Sequence, residues 1–195
     1  MTDRLTIALA QLNPTVGAIN ANLAKARDAL AKSAGADLIL FPELFICGYP
    51  PEDLVLRPSF VENCRIAVED LARDTASGPA ILMGLPWRDG SRLYNAVALL
   101  TNGRIETLRY KHDLPNYGVF DEHRYFAQGR DLVVLRFGEV AVGITICEDV
   151  WQPGPPATDL SLAGAQLIVN LSASPFHVGK AAEREVRPRG HNRRS

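Results

Sequence analysis

Apolar runs alternate along the chain with segments of helical spacing, and turn residues separate them. Residues 5–12 alternate and are rich in aliphatics, which predicts a first strand ended by the Asn13-Pro14-Thr15-Val16-Gly17 turn. From Asn20, read as an N-cap, Leu23, Ala26, Arg27 and Leu30 recur at helical spacing until Gly35 stops the pattern. Residues 37–41 (DLILF) follow as a short buried strand. This β-α-β opening implies neighbouring strands in one sheet with helices laid on a face. Residues 59–76 carry Phe60, Cys64, Val68 and Leu71 on one side and charges on the other, so Cys64 is a packed helix residue. Residues 79–86 (PAILMGLP) predict another buried strand. Residues 93–100 and 104–111 flank an Asn102-Gly103 pair, the strongest short-range hairpin signal. A second hairpin joins residues 132–137 to 140–146, where Val140, Val142, Ile144 and Ile146 alternate with Ala141, Gly143 and Thr145 in a strand buried on both faces. A Pro-rich turn, a short helix over 157–164 and a buried strand over 166–171 complete the pattern. No internal repeat is visible.

Composition narrows the class. The 195 residues are 47% hydrophobic and 22% charged, ordinary for a globular domain. A formal net charge of -1 gives no electrostatic footprint for nucleic acid or a membrane surface. Cys47, Cys64 and Cys147 are widely spaced without a CxxC pair, so neither a disulfide framework nor a zinc site is implied, and a reducing cytoplasm is the expected location. The first residues, MTDRLTIALAQ, lack the basic region and apolar core of an export signal, and no run approaches the ~20 apolar residues of a membrane span.

The ends of the strands carry the candidate chemistry. Cys147 follows the buried run in EVAVGITICEDVWQ, where a strand-to-helix elbow would display a nucleophile. Taken alone, a free cysteine reads more often as a small packed hydrophobe. Glu43 directly follows DLILF, although a carboxylate there also fits a solvated loop. Lys111 ends the second arm of the first hairpin, within RYKHDLPNYGVFDEHRYF, a connection dense in polar and aromatic residues of the kind that carries function. Amide hydrolysis needs a strong nucleophile, a group that takes its proton and returns it to the leaving amine, and positive charge at the developing oxyanion. Cysteine, glutamate and lysine supply those roles. His112, His123, His177 and His191 are the only histidines, and none follows a strand as Glu43 does, so a cysteine-histidine dyad is poorly served. Ser172 and Ser174 end the last strand and suit either a small ligand or their own turn.

The segments FPELFICGYPPEDL, KHDLPNYGVFDEHRYF, GITICEDVW and NLSASPF followed by Lys180 resemble the nitrilase (carbon-nitrogen hydrolase) superfamily, and within it the glutaminase domains of glutamine-dependent NAD+ synthetases. The resemblance implies an α/β fold, a four-layer α-β-β-α sandwich that pairs into homo-oligomers. It implies Glu43 as general base and acid, Lys111 with a backbone N–H as the oxyanion site, Cys147 as the nucleophile forming a glutamyl thioester, and Glu122 as the glutamate that supports the lysine. Tyr117, Ser174 and Lys180 match positions that hold L-glutamine, and Glu148 would help grip its amino group. The glutaminase step then needs no metal or other cofactor. Ammonia would serve a synthetase domain that makes NAD+ from nicotinic acid adenine dinucleotide. ATP and magnesium would belong to that domain, whose SGGxDS loop does not occur in this sequence. The expected hydrolase domain is 1–180. The remaining residues, 181–195, form an atypical basic tail expected to be disordered, so the sandwich is expected to be incomplete at its C-terminus. The alternatives are a stand-alone amidase or nitrilase acting on another small amide, and an inactive fragment.

Overall fold

The structure is a computed structural model that describes residues 4–118, 120–151, 153–174 and 178. The N-terminal β-α-β unit consists of β1 (Ile7–Leu9), α1 (Ile19–Lys32) and β2 (Leu38–Leu40), followed by α2 (Pro58–Arg73). Next come β3 (Ala80–Asp89), β4 (Arg92–Thr101) and β5 (Arg104–Tyr110). These strands form one sheet in the order β1-β2-β3-β4-β5, parallel from β1 to β3 and antiparallel from β3 to β5. A second sheet holds β6 (Val134–Phe137), β7 (Val140–Ile146) and β8 (Leu167–Leu171), with α3 (Ala157–Leu162) between the last two in sequence.

Side-chain alternation explains why the strands read as unbroken apolar runs. On β3, Ile81, Met83 and Leu85 face one core together with Val61, Cys64, Val68 and Leu71 of α2, whereas Ala80 and Leu82 face the other. That second core joins Leu38, Val97 and Leu99 to Val142, Ile144, Ile146, Val169 and Leu171 of the second sheet. Both faces are therefore dry along most of β2, β3 and β4, where a polar alternation has nowhere to appear, whereas the edge strand β5 keeps one, with Arg104 and Glu106 exposed. On the outer face of β7, a Cβ at Gly143 would meet Ala165 at 3.1 Å and Leu160 at 3.3 Å, so α3 lies tight against the second sheet. The layers are α-β-β-α, the expected sandwich.

The departures from the sequence reading have local causes. β1 is shorter than residues 5–12, because past Leu9 the backbone turns on itself through Gln11 N–H to Leu9 O at 3.0 Å and Leu12 N–H to Ala10 O at 2.9 Å. Asn20 is not the N-cap. The helix begins at Ile19 with Ala18 at the cap, and Asn22 holds the preceding loop instead. Its buried amide accepts from Thr15 N–H and donates to the carbonyls of Thr15 and Ile46. β3 runs beyond residue 86 to Asp89 and turns through Gly90 into β4, a hairpin the proline concealed. Pro86 is tolerated because its nitrogen points, like the carbonyls of Leu82 and Gly84, to the side where strand pairing with β2 has ended. At the next hairpin Asn102 (φ +54°) and Gly103 (φ +78°) both adopt left-handed backbone, as the Asn-Gly signal requires. Among the described residues, no helix is long and apolar enough to cross a membrane.

Candidate active site

The site is assembled where β2, β5 and β7 end. The chain leaves β2 at Phe41 and folds directly over β3, so that a Cβ at Gly84 would lie 2.4 Å from both Pro42 O and Leu44 N. Only glycine permits that approach. The bend, with Leu44 at φ +50°, turns Glu43 inward until it is fully buried. Lys111 follows β5 and stays anchored to the sheet, its N–H donating to Asn95 O at 2.8 Å and its carbonyl accepting from Gly129 N–H at 2.8 Å. Its ammonium, also fully buried, donates to Glu43 Oε1 at 2.7 Å and to Glu122 Oε1 and Oε2 at 2.8 and 2.9 Å. Glu122 begins a short 3₁₀ turn, Glu122–Arg124, and also accepts from the Tyr49 hydroxyl at 3.4 Å.

Three charges taken out of water are tolerable only because they satisfy one another. Burial works against the Lys111 ammonium, but the Glu43 and Glu122 carboxylates outweigh it and hold the lysine charged, above its ordinary range. Burial, reinforced by the charge of Glu43 and opposed by Lys111, pushes the Glu122 carboxyl up to about 7.

Cys147 caps the end of β7 and opens a 3₁₀ turn, Cys147–Val150, at φ +45°. A left-handed cysteine at a strand end is a sharp elbow, a backbone state that persists only where its surroundings enforce it. Its Sγ lies 3.5 Å from Ser174 Oγ. The adjacent Ala173 N–H reaches Glu43 Oε2 at 3.2 Å, so the end of β8 touches both the thiol and the carboxylate. Burial and then the charge of Glu43 push the thiol up to about 12, against the pull of Lys111, Ser174 and the Ala173 N–H. At neutral pH the group is therefore a thiol, and attack requires that its proton be taken.

The elbow is tied to the rest of the site by Asp149. One carboxylate oxygen accepts from Ile146 N–H at 3.0 Å, within the turn, and the other from His112 and Asp113 N–H at 3.0 and 2.8 Å, in the segment after Lys111. Nearby, Tyr117 places its hydroxyl 2.9 Å from both oxygens of Glu148. A cavity of about 340 Å³ opens beside Glu122, lined by Leu44, Tyr49, Phe120, Tyr125 and Ala173.

The structure thus joins Glu43, Lys111 and Glu122 directly, sets Cys147 against Ser174, and pairs Tyr117 with Glu148. Lys180 and the tail 181–195 lie outside the described residues. The sequence reading missed Asn95, whose signal was a polar residue inside the apolar run of β4, and Asp149, whose carboxylate could as well have pointed to solvent. Among the described residues, no cluster of His, Cys, Asp and Glu has the arrangement of a metal site.

Comparison with known proteins finds similar sequences and similar folds. The family model described as carbon-nitrogen hydrolase matches residues 6–187. The glutamine-dependent NAD(+) synthetase of Thermotoga maritima is 50% identical over 186 residues, which cover 93% of this chain and 32% of that protein. The solved glutamine-dependent NAD+ synthetase of Acinetobacter baumannii superposes with a TM-score of 0.87 at 36% identity, over 93% of this chain and 34% of that one. An amidase from Nesterenkonia sp. AN1, solved with the acetamide moiety of fluoroacetamide added covalently at its active site cysteine, superposes with a TM-score of 0.79 at 26% identity, over 92% of this chain and 68% of that one. The chain spans about a third of the length of the curated relatives it matches. With residues 6–187 of its 195 matched by that family model, the chain belongs to the carbon-nitrogen hydrolase family.

Proposed function

We propose that the chain hydrolyses the side-chain amide of L-glutamine to glutamate and ammonia through a glutamyl thioester on Cys147. The observation that carries this reading is the buried Glu43-Lys111-Glu122 cluster, joined through the end of β8 to the Cys147 thiol on its strained elbow. As Sγ attacks the amide carbon, its proton passes to Glu43, and the oxygen that gains charge is met by the Lys111 ammonium and the Glu148 backbone N–H. The carbon–nitrogen bond then breaks with return of the proton to nitrogen, and ammonia leaves. Glu43 next deprotonates a water that attacks the thioester, which regenerates the thiol and releases glutamate. Glu122 keeps the lysine charged throughout. Tyr117, Glu148, Ser174 and Lys180 hold the amino acid portion of the substrate. No step calls for a metal or an organic cofactor. The ammonia would be consumed by an NAD+ synthetase domain that uses ATP and magnesium, in line with the activity named for the relatives.

Incubation with glutamine should yield ammonia and glutamate in equal amounts, and the Cys147→Ala variant should yield neither. Equal rates in parent and variant would overturn the assignment. The likeness to the amidase favours a second reading, action on another small amide without an α-amino acid. A panel of amides decides between them, because a site built around Glu148 and Tyr117 should reject propionamide and butyramide.

A further inference from the structure

Asn95 stands inside β4 among Tyr94, Ala96 and Val97, and it is fully buried. A polar side chain in such a place is costly unless it is bonded. Its Nδ2 donates to Glu43 Oε1 at 2.8 Å and also bears on the Glu122 carboxylate. Its Oδ1 has no hydrogen-bond partner among the described residues. The amide cannot be turned over, because its carbonyl oxygen would then face two carboxylates. With its own main-chain carbonyl accepting from Lys111 N–H, this one residue touches Glu43, Glu122 and Lys111.

The two oxygens of Glu43 are consequently unequal. Oε1 receives the Lys111 ammonium at 2.7 Å and the Asn95 amide at 2.8 Å, whereas Oε2 receives, among the described residues, only the Ala173 N–H at 3.2 Å. An oxygen with two strong donors is a poor proton acceptor. Oε2 lies on the side of Ala173, whose neighbour Ser174 touches the Cys147 sulfur. We propose that Asn95 is a positioning residue which, together with Lys111, saturates Glu43 Oε1 and so makes Oε2 the oxygen that accepts the Cys147 proton. The inference rests on the reading of Glu43 as base and Cys147 as nucleophile. The transfer is balanced: the S–H bond breaks, its electron pair stays on sulfur for attack, and the proton rides on Oε2 until the leaving nitrogen takes it.

The groups that act on Glu43 are Lys111 from the end of β5, Glu122 from the 3₁₀ turn, Cys147 from the elbow, and Cys47 and Tyr49 from its own loop. Changing Asn95 to serine alters only a neutral donor and leaves all of these charges in place. The test is the pH dependence of Cys147 alkylation by iodoacetamide in the 195-residue chain, with Cys147→Ala as the blank for Cys47 and Cys64. Loss of one donor to the charged carboxylate should move the acid limb upward by about one pH unit in Asn95→Ser, roughly tenfold in rate at a fixed pH on the limb. Asn95→Asp, which keeps the shape and adds a carboxylate, should move it further. An unchanged limb in either variant overturns the proposal, as does a parent with no acid limb. Loss of cooperative unfolding in both variants also overturns it, by making Asn95 a residue of the fold alone. The readout needs no substrate, so failure of the parent to hydrolyse glutamine leaves it intact and is told apart from failure of the proposal.

Discussion

Asp149 and Arg109 form an ion pair buried between the two sheets, with the guanidinium Nη2 3.3 Å from Asp149 Oδ2 and neither side chain more than 1% exposed. Arg109 reaches it from β5 and Asp149 from the turn behind Cys147, so the pair joins the strand that delivers the lysine to the strand that delivers the thiol. Burial pushes the Arg109 guanidinium below its ordinary range and the Asp149 carboxyl above its own, and each charge opposes the shift of the other.

Removing one partner from a buried pair leaves an uncompensated charge, and Asp149→Ala additionally strips three backbone N–H groups of their acceptor. The expected loss is about 3–5 kcal/mol, read as a lower urea midpoint. A change below ~1 kcal/mol would show that the clasp is dispensable.

Gly84→Ala tests the bend that delivers Glu43. The added methyl meets the backbone of Pro42 and Leu44, which cannot rotate away, so the loop must move. We expect a loss of about 1–3 kcal/mol and a fall in ammonia release larger than stability explains, since Glu43 rides on that loop. Full activity at reduced stability would contradict it.

Glu122 gives the fold a pH dependence of known sign. Its carboxyl is raised from an ordinary glutamate value to about 7, so between those values the folded chain binds the proton that the unfolded chain has released. Stability contributed by this group is complete below the unfolded value and is lost as pH rises through about 7. Urea unfolding between pH 4.5 and 7.5 should show the decline, and Glu122→Gln should flatten it. An equal slope in both proteins would refute the assignment.

Tyr117→Phe removes the hydroxyl that Glu148 accepts while leaving the ring contact with Phe120. If the pair orients substrate, KM for glutamine should rise about tenfold with kcat nearly unchanged, the pattern of a binding contact. A fall in kcat at constant KM would place the tyrosine in the chemistry instead.

The layered fold was legible because doubly buried strands must be apolar throughout, so their ends stand out, and Glu43 and Cys147 lie at such ends, whereas Lys111 follows the half-exposed β5 and was marked by the Asn-Gly hairpin and the polar loop after it. Glu122 entered through family resemblance, because a glutamate in a polar loop carries no periodic signal. What could not be read was direction. Nothing in the order of residues says that Asp149 turns inward to collect backbone N–H groups, that Asn22 rather than Asn20 holds the first loop, or that Pro86 leaves a strand intact because its nitrogen faces an unpaired side. Each depends on which neighbour tertiary packing brings alongside.

The protonated state of Cys147 has a bearing on how the site survives between substrates. Peroxide and stray electrophiles attack thiolates far faster than thiols. A sulfur that keeps its proton, beside the Ser174 hydroxyl at 3.5 Å, reacts slowly with such agents at neutral pH, in contrast to thiols that are kept ionised. On the proposed mechanism a bound amide, whose polarised carbonyl gives the released electron pair somewhere to go, would raise that reactivity further, so the substrate would gain an advantage over passing molecules at the step in which the bond to sulfur forms.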